Sequence, residues 1–144
     1  MINRFFYLLI LIPIVFYKAN SIDSVLFKLK DKSETKKVKK LTQLCWENRS
    51  SLPRFSLECG FEALRKIDKY NLEIPKSQLL NYIGVVYSHI GKLDSSYYFY
   101  QQALFESTKL NDSLQLAYSL NNLGDYYLQS SLYSLALEKF FESN

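Results

Sequence analysis

Cys45, Cys59 and His89 are the side chains of this 144-residue chain best suited to nucleophilic or metal chemistry. A cysteine nucleophile needs a base to take its proton, a third group to orient that base, and donors for the developing oxyanion. The single histidine stands far beyond Cys59 in sequence, and no residue pattern around either supplies the remaining parts. One His and two Cys also fall short of the usual Cys/His ligand set for zinc. No G-x-G-x-x-G and no G-x-x-x-x-G-K occurs, so phosphate-cradling loops are missing as well. The expectation is a chain that is not an enzyme and holds no cofactor and no metal. The spacing of Cys45 and Cys59 leaves open whether they form a bridge or are buried separately.

The elements that would hold these residues are helices. Four Gly and three Pro are too few for a turn-rich sandwich or barrel, and 48% hydrophobic residues exclude a disordered tail. The chain also repeats itself. At one constant offset, Leu80 aligns with Leu120, Asn81 with Asn121, Ile83 with Leu123, Gly84 with Gly124, and Tyr87 with Tyr127. Further on, Leu93 falls on Tyr133, Ser96 on Ala136, Tyr100 on Phe140 and Ala103 on Ser143. A fainter first copy places Pro53 at the position of Leu93, Ser56 at Ser96, Gly60 at Tyr100, and Ala63-Leu64 at Ala103-Leu104.

Each unit reads as a helix pair. Pro75 suits the first turn of a helix running to about Ile90, with Leu79, Leu80, Ile83, Val86, Tyr87 and Ile90 on its apolar face. Gly91 fits the left-handed residue that ends it. Asp94 lies at the opening of its partner, whose buried side is expected to hold Tyr97, Tyr100, Ala103, Leu104 and Phe105. Asp112 caps the next helix, with Gln115 completing a capping box, and residues 132–142 form the last one. Gly84 and Gly124 fall inside helices, which costs ~1 kcal/mol each and implies a close helix approach. Most of the tyrosines and phenylalanines follow the helix period and are expected in the core.

Leu120, Leu123-Gly124, Tyr127, Tyr133, Ala136 and Phe140 resemble the tetratricopeptide repeat, and Leu80, Ile83-Gly84, Tyr87, Gly91 and Ala103 resemble it in the preceding unit. In the first unit Leu44 stands where that family has Gly, and Glu47 where it has Tyr. The 40-residue period resembles the longer-repeat subgroup found in bacterial signalling proteins. The resemblance implies an all-α solenoid of antiparallel helix pairs, with units at about 41–73, 74–111 and 112–144, the first degenerate. It also implies a concave face built by the first helix of each pair. On that face the family pattern places Gln78, Asn81, Val85, Ser88 and His89 from the second unit. From the third it places Tyr118, Asn121, Asn122, Asp125, Leu128 and Gln129. These amides, hydroxyls and aromatics suit an extended peptide or protein ligand. Asn81, Asn121, Val85 and Asp125 replace the Lys and Asn of a chaperone-type carboxylate clamp, which is therefore not expected.

The N-terminus reads as an export signal. Arg4 precedes Phe5–Tyr17, a 13-residue run without charge, and Ala19-Asn20-Ser21 offers a cleavage site. The run is short of the ~20 residues a spanning helix needs. Residues 1–21 are expected to be lost from an exported protein, periplasmic or extracellular; an uncleaved anchor is the alternative. Without Arg4 and Lys18, 16 basic residues face 14 acidic ones, which gives no reason to expect a nucleic-acid partner. Lys28, Lys30, Lys32, Lys36, Lys37, Lys39 and Lys40 crowd one segment, 22–40, beside Asp31 and Glu34. It reads as a solvated helix face, with a membrane-surface or polyanion patch as the sharper alternative.

Two functional classes follow. One is an interaction module or adaptor that binds a protein or peptide. The other is the sensory front of a longer signalling protein of the histidine kinase or transcriptional regulator type. Leu137 and Phe141, one turn apart on the final helix, have no following helix in this chain to cover them. Self-association through that helix, or membership of a longer array, is expected on that ground.

Overall fold

The computed structural model describes residues 21–143. The expected signal segment, up to Asn20, lies outside the described residues. Seven helices make up the described chain: α1 (Ile22–Lys28), α2 (Glu34–Glu47), α3 (Pro53–Lys69), α4 (Ser77–His89), α5 (Leu93–Lys109), α6 (Ser113–Gln129) and α7 (Tyr133–Glu142). Among the described residues there is no strand, and no helix is long and apolar enough to cross a membrane. The chain is all-α.

Consecutive helices pack as hairpins: α2 on α3, α4 on α5, α6 on α7. The first helices α2, α4 and α6 also touch one another in order and form one layer. The second helices α3 and α5 pack back onto the α4 and α6 that follow them. The main core lies where α2, α3 and α4 meet, around Val38, Leu41, Cys45, Cys59, Ala63, Ile67, Ile83 and Val86. Equivalent positions of successive units are buried alike: Leu80 and Leu120, Ile83 and Leu123, Ala63 and Ala103, and the small residues Ser56, Ser96 and Ala136.

The glycines explain why the hairpins close so tightly. A Cβ on Gly84 would lie 2.5 Å from Cε1 of Tyr100, and one on Gly124 would lie 2.4 Å from Cε1 of Phe140. Each aromatic of a second helix therefore rests directly on the backbone of the first. In the first hairpin the arrangement is reversed. Leu44 takes the glycine position, and the small residue moves across to Gly60, against which Ile83 and Cys45 pack. The departure at Leu44 is thus matched by an opposite change at the position equivalent to Tyr100.

Turns recur at half the repeat. Asn71, Gly91, Asn111 and Ser131 all have positive φ, and they are evenly spaced along the chain. After each, the next amide donates back into the last turn: Leu72 to Ile67, Lys92 to Tyr87, Asp112 to Ser107, Leu132 to Tyr127. This is the Schellman closure of a helix C-terminus, used at every one of these reversals.

Several expectations are corrected. The lysine-rich segment is not separate from the first unit, because α2 runs from Glu34 straight through residue 41. Val38 and Leu41 lie on one buried stripe, which carries the helix across that boundary. Pro75 stands outside α4: Leu72 and Ile74 tuck against the core first, and the helix begins at Ser77. Asp112 does accept from the Gln115 amide at 3.1 Å, but the Gln115 side chain is turned inward, so only half of the capping box forms. The aromatics are mostly not core. Among those described only Phe55 and Tyr100 are buried, and Phe105 is exposed because α5 turns that side to solvent. Other expectations stand: Leu137 and Phe141 on α7, expected without a covering helix, are 57% and 76% exposed. Cys45 and Cys59 are buried thiols without a bridge, and burial pushes them up to about 11 and about 12.

An ionic network ties α2 to α3. Glu34 accepts from Lys37 and from the buried Lys66, both at 2.7 Å, and Lys66 also lies 3.7 Å from Glu62. Hydrogen bonds from Lys37 and Lys66 hold the Glu34 carboxyl below its ordinary value of 4.5. A carboxylate with a lower value folded than unfolded adds stability above the unfolded value, and that stability is lost as pH falls through the folded one. Glu34→Gln should therefore flatten the acid limb of a stability–pH curve below about pH 4.5. Equal slopes for the two proteins in chemical denaturation from about pH 5 downward would contradict the network.

Candidate binding groove

The row of first helices presents a groove. Its floor is set by Trp46 on α2, Tyr82 on α4 and Tyr118 on α6, which are evenly spaced in sequence. Their spacing is slightly less than one repeat, so the row steps back by about one helical turn from each pair to the next. Trp46 and Tyr82 stack with centroids 4.6 Å apart and planes inclined at 29°. The Arg49 guanidinium covers the Trp46 ring at 3.7 Å from its centroid. Desolvation raises the Tyr82 hydroxyl, and proximity to Tyr118 adds to the shift. Tyr118 itself is 54% exposed.

Two adjoining hollows of about 490 and about 300 Å³ share Trp46, Gln78, Tyr82 and Gln115 on their walls. The smaller one is completed by Asn81, Val85, Leu114, Tyr118 and Asn122 and carries no charged side chain. The larger reaches the start of α4, where the fully buried Ser77 hydroxyl has no hydrogen-bond partner among the described residues. Lys39 and Asp112 are its charged lining residues. A surface of flat rings and amides can stack on apolar groups and pair with backbone N–H and C=O at once.

Behind the rings the groove is held rigid by amides. Asn81 Nδ2 donates to Ser119 Oγ at 3.0 Å and to Gln115 Oε1 at 3.5 Å, while Asn122 Nδ2 donates to Asn81 Oδ1 at 3.1 Å. Toward the other end, Ser88 and Gln129 exchange hydrogen bonds between α4 and α6, and the Ser50 hydroxyl lies 3.1 Å from His89 Nδ1.

No family model, curated protein or solved structure matches the chain. The groove is therefore read from its own geometry.

Of the residues placed on this face from sequence, Gln78, Val85, Tyr118 and Asn122 line the smaller hollow together. Asn81 does not serve as a contact residue. It is 3% exposed, and its amide is engaged in joining α4 to α6. Ser88, His89 and Gln129 are engaged with helix neighbours beyond the hollows. Asn121, Asp125 and Leu128 are exposed on α6, one repeat beyond Asn81, Val85 and Ser88. The earlier three meet α6; the later three have no described helix against them. Partial desolvation raises the Asp125 carboxyl. Sequence reasoning missed Trp46, Arg49, Tyr82 and Leu114. The regular spacing of the three rings was the available signal, and the expectation that most tyrosines are core concealed Tyr82. Among the described residues no group of three His, Cys, Asp or Glu is placed to hold a metal ion.

Proposed function

We propose that this chain is a non-enzymatic protein-interaction module, a tetratricopeptide-like stack of helix pairs that binds an extended peptide segment along the α2–α4–α6 groove. The matching burial of equivalent positions and the paired glycine–aromatic contacts support the repeat assignment. The observation that carries the binding reading is the Trp46–Tyr82–Tyr118 row over an uncharged, amide-lined hollow. Rings supply stacking area at low entropic cost, and Gln78 and Asn122 supply adaptable donors and acceptors.

Trp46 is the chain's single tryptophan, so its fluorescence reports directly on the groove. Peptides selected from a random displayed library against the intact protein should shift that emission. Trp46→Ala and Tyr118→Ala should each weaken the selected peptides roughly 10-fold or more by calorimetry, as buried aromatic anchors do. Phe105→Ala, an exposed ring on α5, should leave them unchanged. Peptides that bind both groove variants as tightly as the parent would overturn the assignment.

Export is proposed on the sequence of residues 1–21. The expected cut after Ser21 would remove the side chain that caps α1, since Ser21 Oγ accepts from the Ser24 amide at 3.2 Å. N-terminal sequencing of the native protein should start at Ile22 or within a few residues, and an intact Met1 on a protein in the cytoplasm would refute export.

A further inference from the structure

The charge of the chain is unevenly placed. Residues 22–40 hold seven lysines against Asp23, Asp31 and Glu34, whereas residues 41–144 hold nine basic residues against eleven acidic ones. Such asymmetry marks a surface that meets a polyanion or a membrane.

Among the described residues, Lys28, Lys30, Lys32 and Lys36 are exposed, and none lies within ion-pair distance of a carboxylate. Glu34 is already engaged by Lys37 and Lys66, which leaves Asp31 as the acid of the turn between α1 and α2. Elsewhere Arg54, Arg65, Lys66, Lys76 and Lys139 sit against acids, while Arg49, Lys69, Lys92 and Lys109 are scattered singly over other helices and turns. At the tip of the cluster stands Phe27, 71% exposed, with the Lys30 ammonium 5.2 Å from its ring centroid. The apolar residues Ile22, Val25 and Leu26 of the same short helix pack against the core, so Phe27 is the ring that α1 directs away from it.

We infer that this corner, made by the end of α1, the turn after it and the first turn of α2, docks on an anionic bilayer surface. The four lysines would lie among anionic headgroups, and Phe27 would enter the headgroup–acyl boundary. Juxtaposed lysines and an aromatic ring match what interfacial segments use. All seven cations of 22–40 are lysines. Compact, flexible point charges suit a diffuse headgroup layer, whereas bidentate reading of phosphates or bases favours arginine.

Flotation of the full chain with vesicles tests the inference. Vesicles with about one-third phosphatidylglycerol are compared with pure phosphatidylcholine, and the ratio of the two partition coefficients is read. Arg4 and Lys18 beside the apolar N-terminus add to that ratio equally in every variant, so the corner is read from the change between parent and variant. The ratio should exceed about 10 at low salt and fall toward about 1 at roughly 0.5 M NaCl, where screening is short-ranged. Lys28→Glu/Lys30→Glu/Lys32→Glu should lower it at least several-fold, and Phe27→Ser should lower anionic-vesicle binding several-fold. The control Arg54→Glu/Lys92→Glu/Lys109→Glu makes the same net charge change on other helices and turns or at the far end of α3 and should retain most of the ratio. A ratio near unity in the parent, or equal loss in the control, would overturn the inference. So would duplex DNA that competes with the vesicles while Phe27→Ser has no effect, since that outcome assigns the corner to a polyanion instead.

Discussion

Gly84→Ala should destabilise the protein by roughly 1–2 kcal/mol, although alanine is by far the better helix former. The added Cβ would meet Cε1 and Cδ1 of Tyr100 at 2.5 and 2.6 Å, and that ring is buried with no free side to move into. Overpacking costs of ~1–3 kcal/mol outweigh a propensity gain of ~1 kcal/mol. Gly124→Ala makes the same contact with Phe140, but Phe140 is only partly buried, so less packing opposes its adjustment than opposes that of Tyr100. Its penalty should be clearly smaller, and Gly124→Leu should restore a cost of ~1–3 kcal/mol. Urea denaturation of the three variants gives the order directly. In a Tyr100→Leu background the Gly84→Ala penalty should largely vanish. A Gly84→Ala protein as stable as the parent would refute the close approach of α4 and α5.

Asn81→Leu should cost ~2–3 kcal/mol, because it removes a buried amide that joins α4 to α6 and leaves Gln115 Oε1 without that donor, while Ser119 keeps its bond to the Gln115 carbonyl. Asn121→Leu, at the equivalent position of the next unit, is exposed and should stay within ~0.5 kcal/mol of the parent. The contrast separates two roles that the repeat pattern alone assigns equally. If Asn81 were a ligand contact, its replacement would reduce peptide affinity and leave the unfolding midpoint in place. Thermal or urea midpoints for the pair decide the matter.

That contrast also shows where the sequence was legible. Helix existence, the equivalences between units and the two tight glycines follow from spacing, because a buried stripe and a residue without Cβ leave marks that survive in one dimension. Boundaries were less legible. Pro75 is a good first-turn residue by itself, yet the tucking of Leu72 and Ile74 postpones the helix to Ser77. Burial of equivalent residues was legible only within a hairpin. Whether Asn81 or Asn121 is covered depends on which helix comes next, and a repeat alignment treats the two as the same.

The groove was half legible for a related reason. Family-like positions found Gln78, Val85, Tyr118 and Asn122, which all lie on one helix face relative to their own unit. Trp46 and Tyr82 join them only through the lateral step between neighbouring helices, a distance that no single-helix period encodes. Aromatic residues compound the difficulty. At helical spacing a ring satisfies a core position and a stacked surface row equally well, and only the packing of α2 against α4 tells Trp46 from Phe55.

The left-handed turns at Asn71, Gly91, Asn111 and Ser131 give the chain two nested periods, the second twice the first. From each such turn to the next the backbone completes one helix and one reversal, but the inner and outer rows exchange at each reversal. An insertion of a single turn-to-turn interval, with its own cap, would therefore be conformationally silent at the junctions and still turn every later groove residue outward. An insertion of two intervals would preserve both. Growth of such a chain by tandem duplication is thus quantised in pairs. Asn and Ser at three of the four reversals show that the quantum does not require a glycine to mark it.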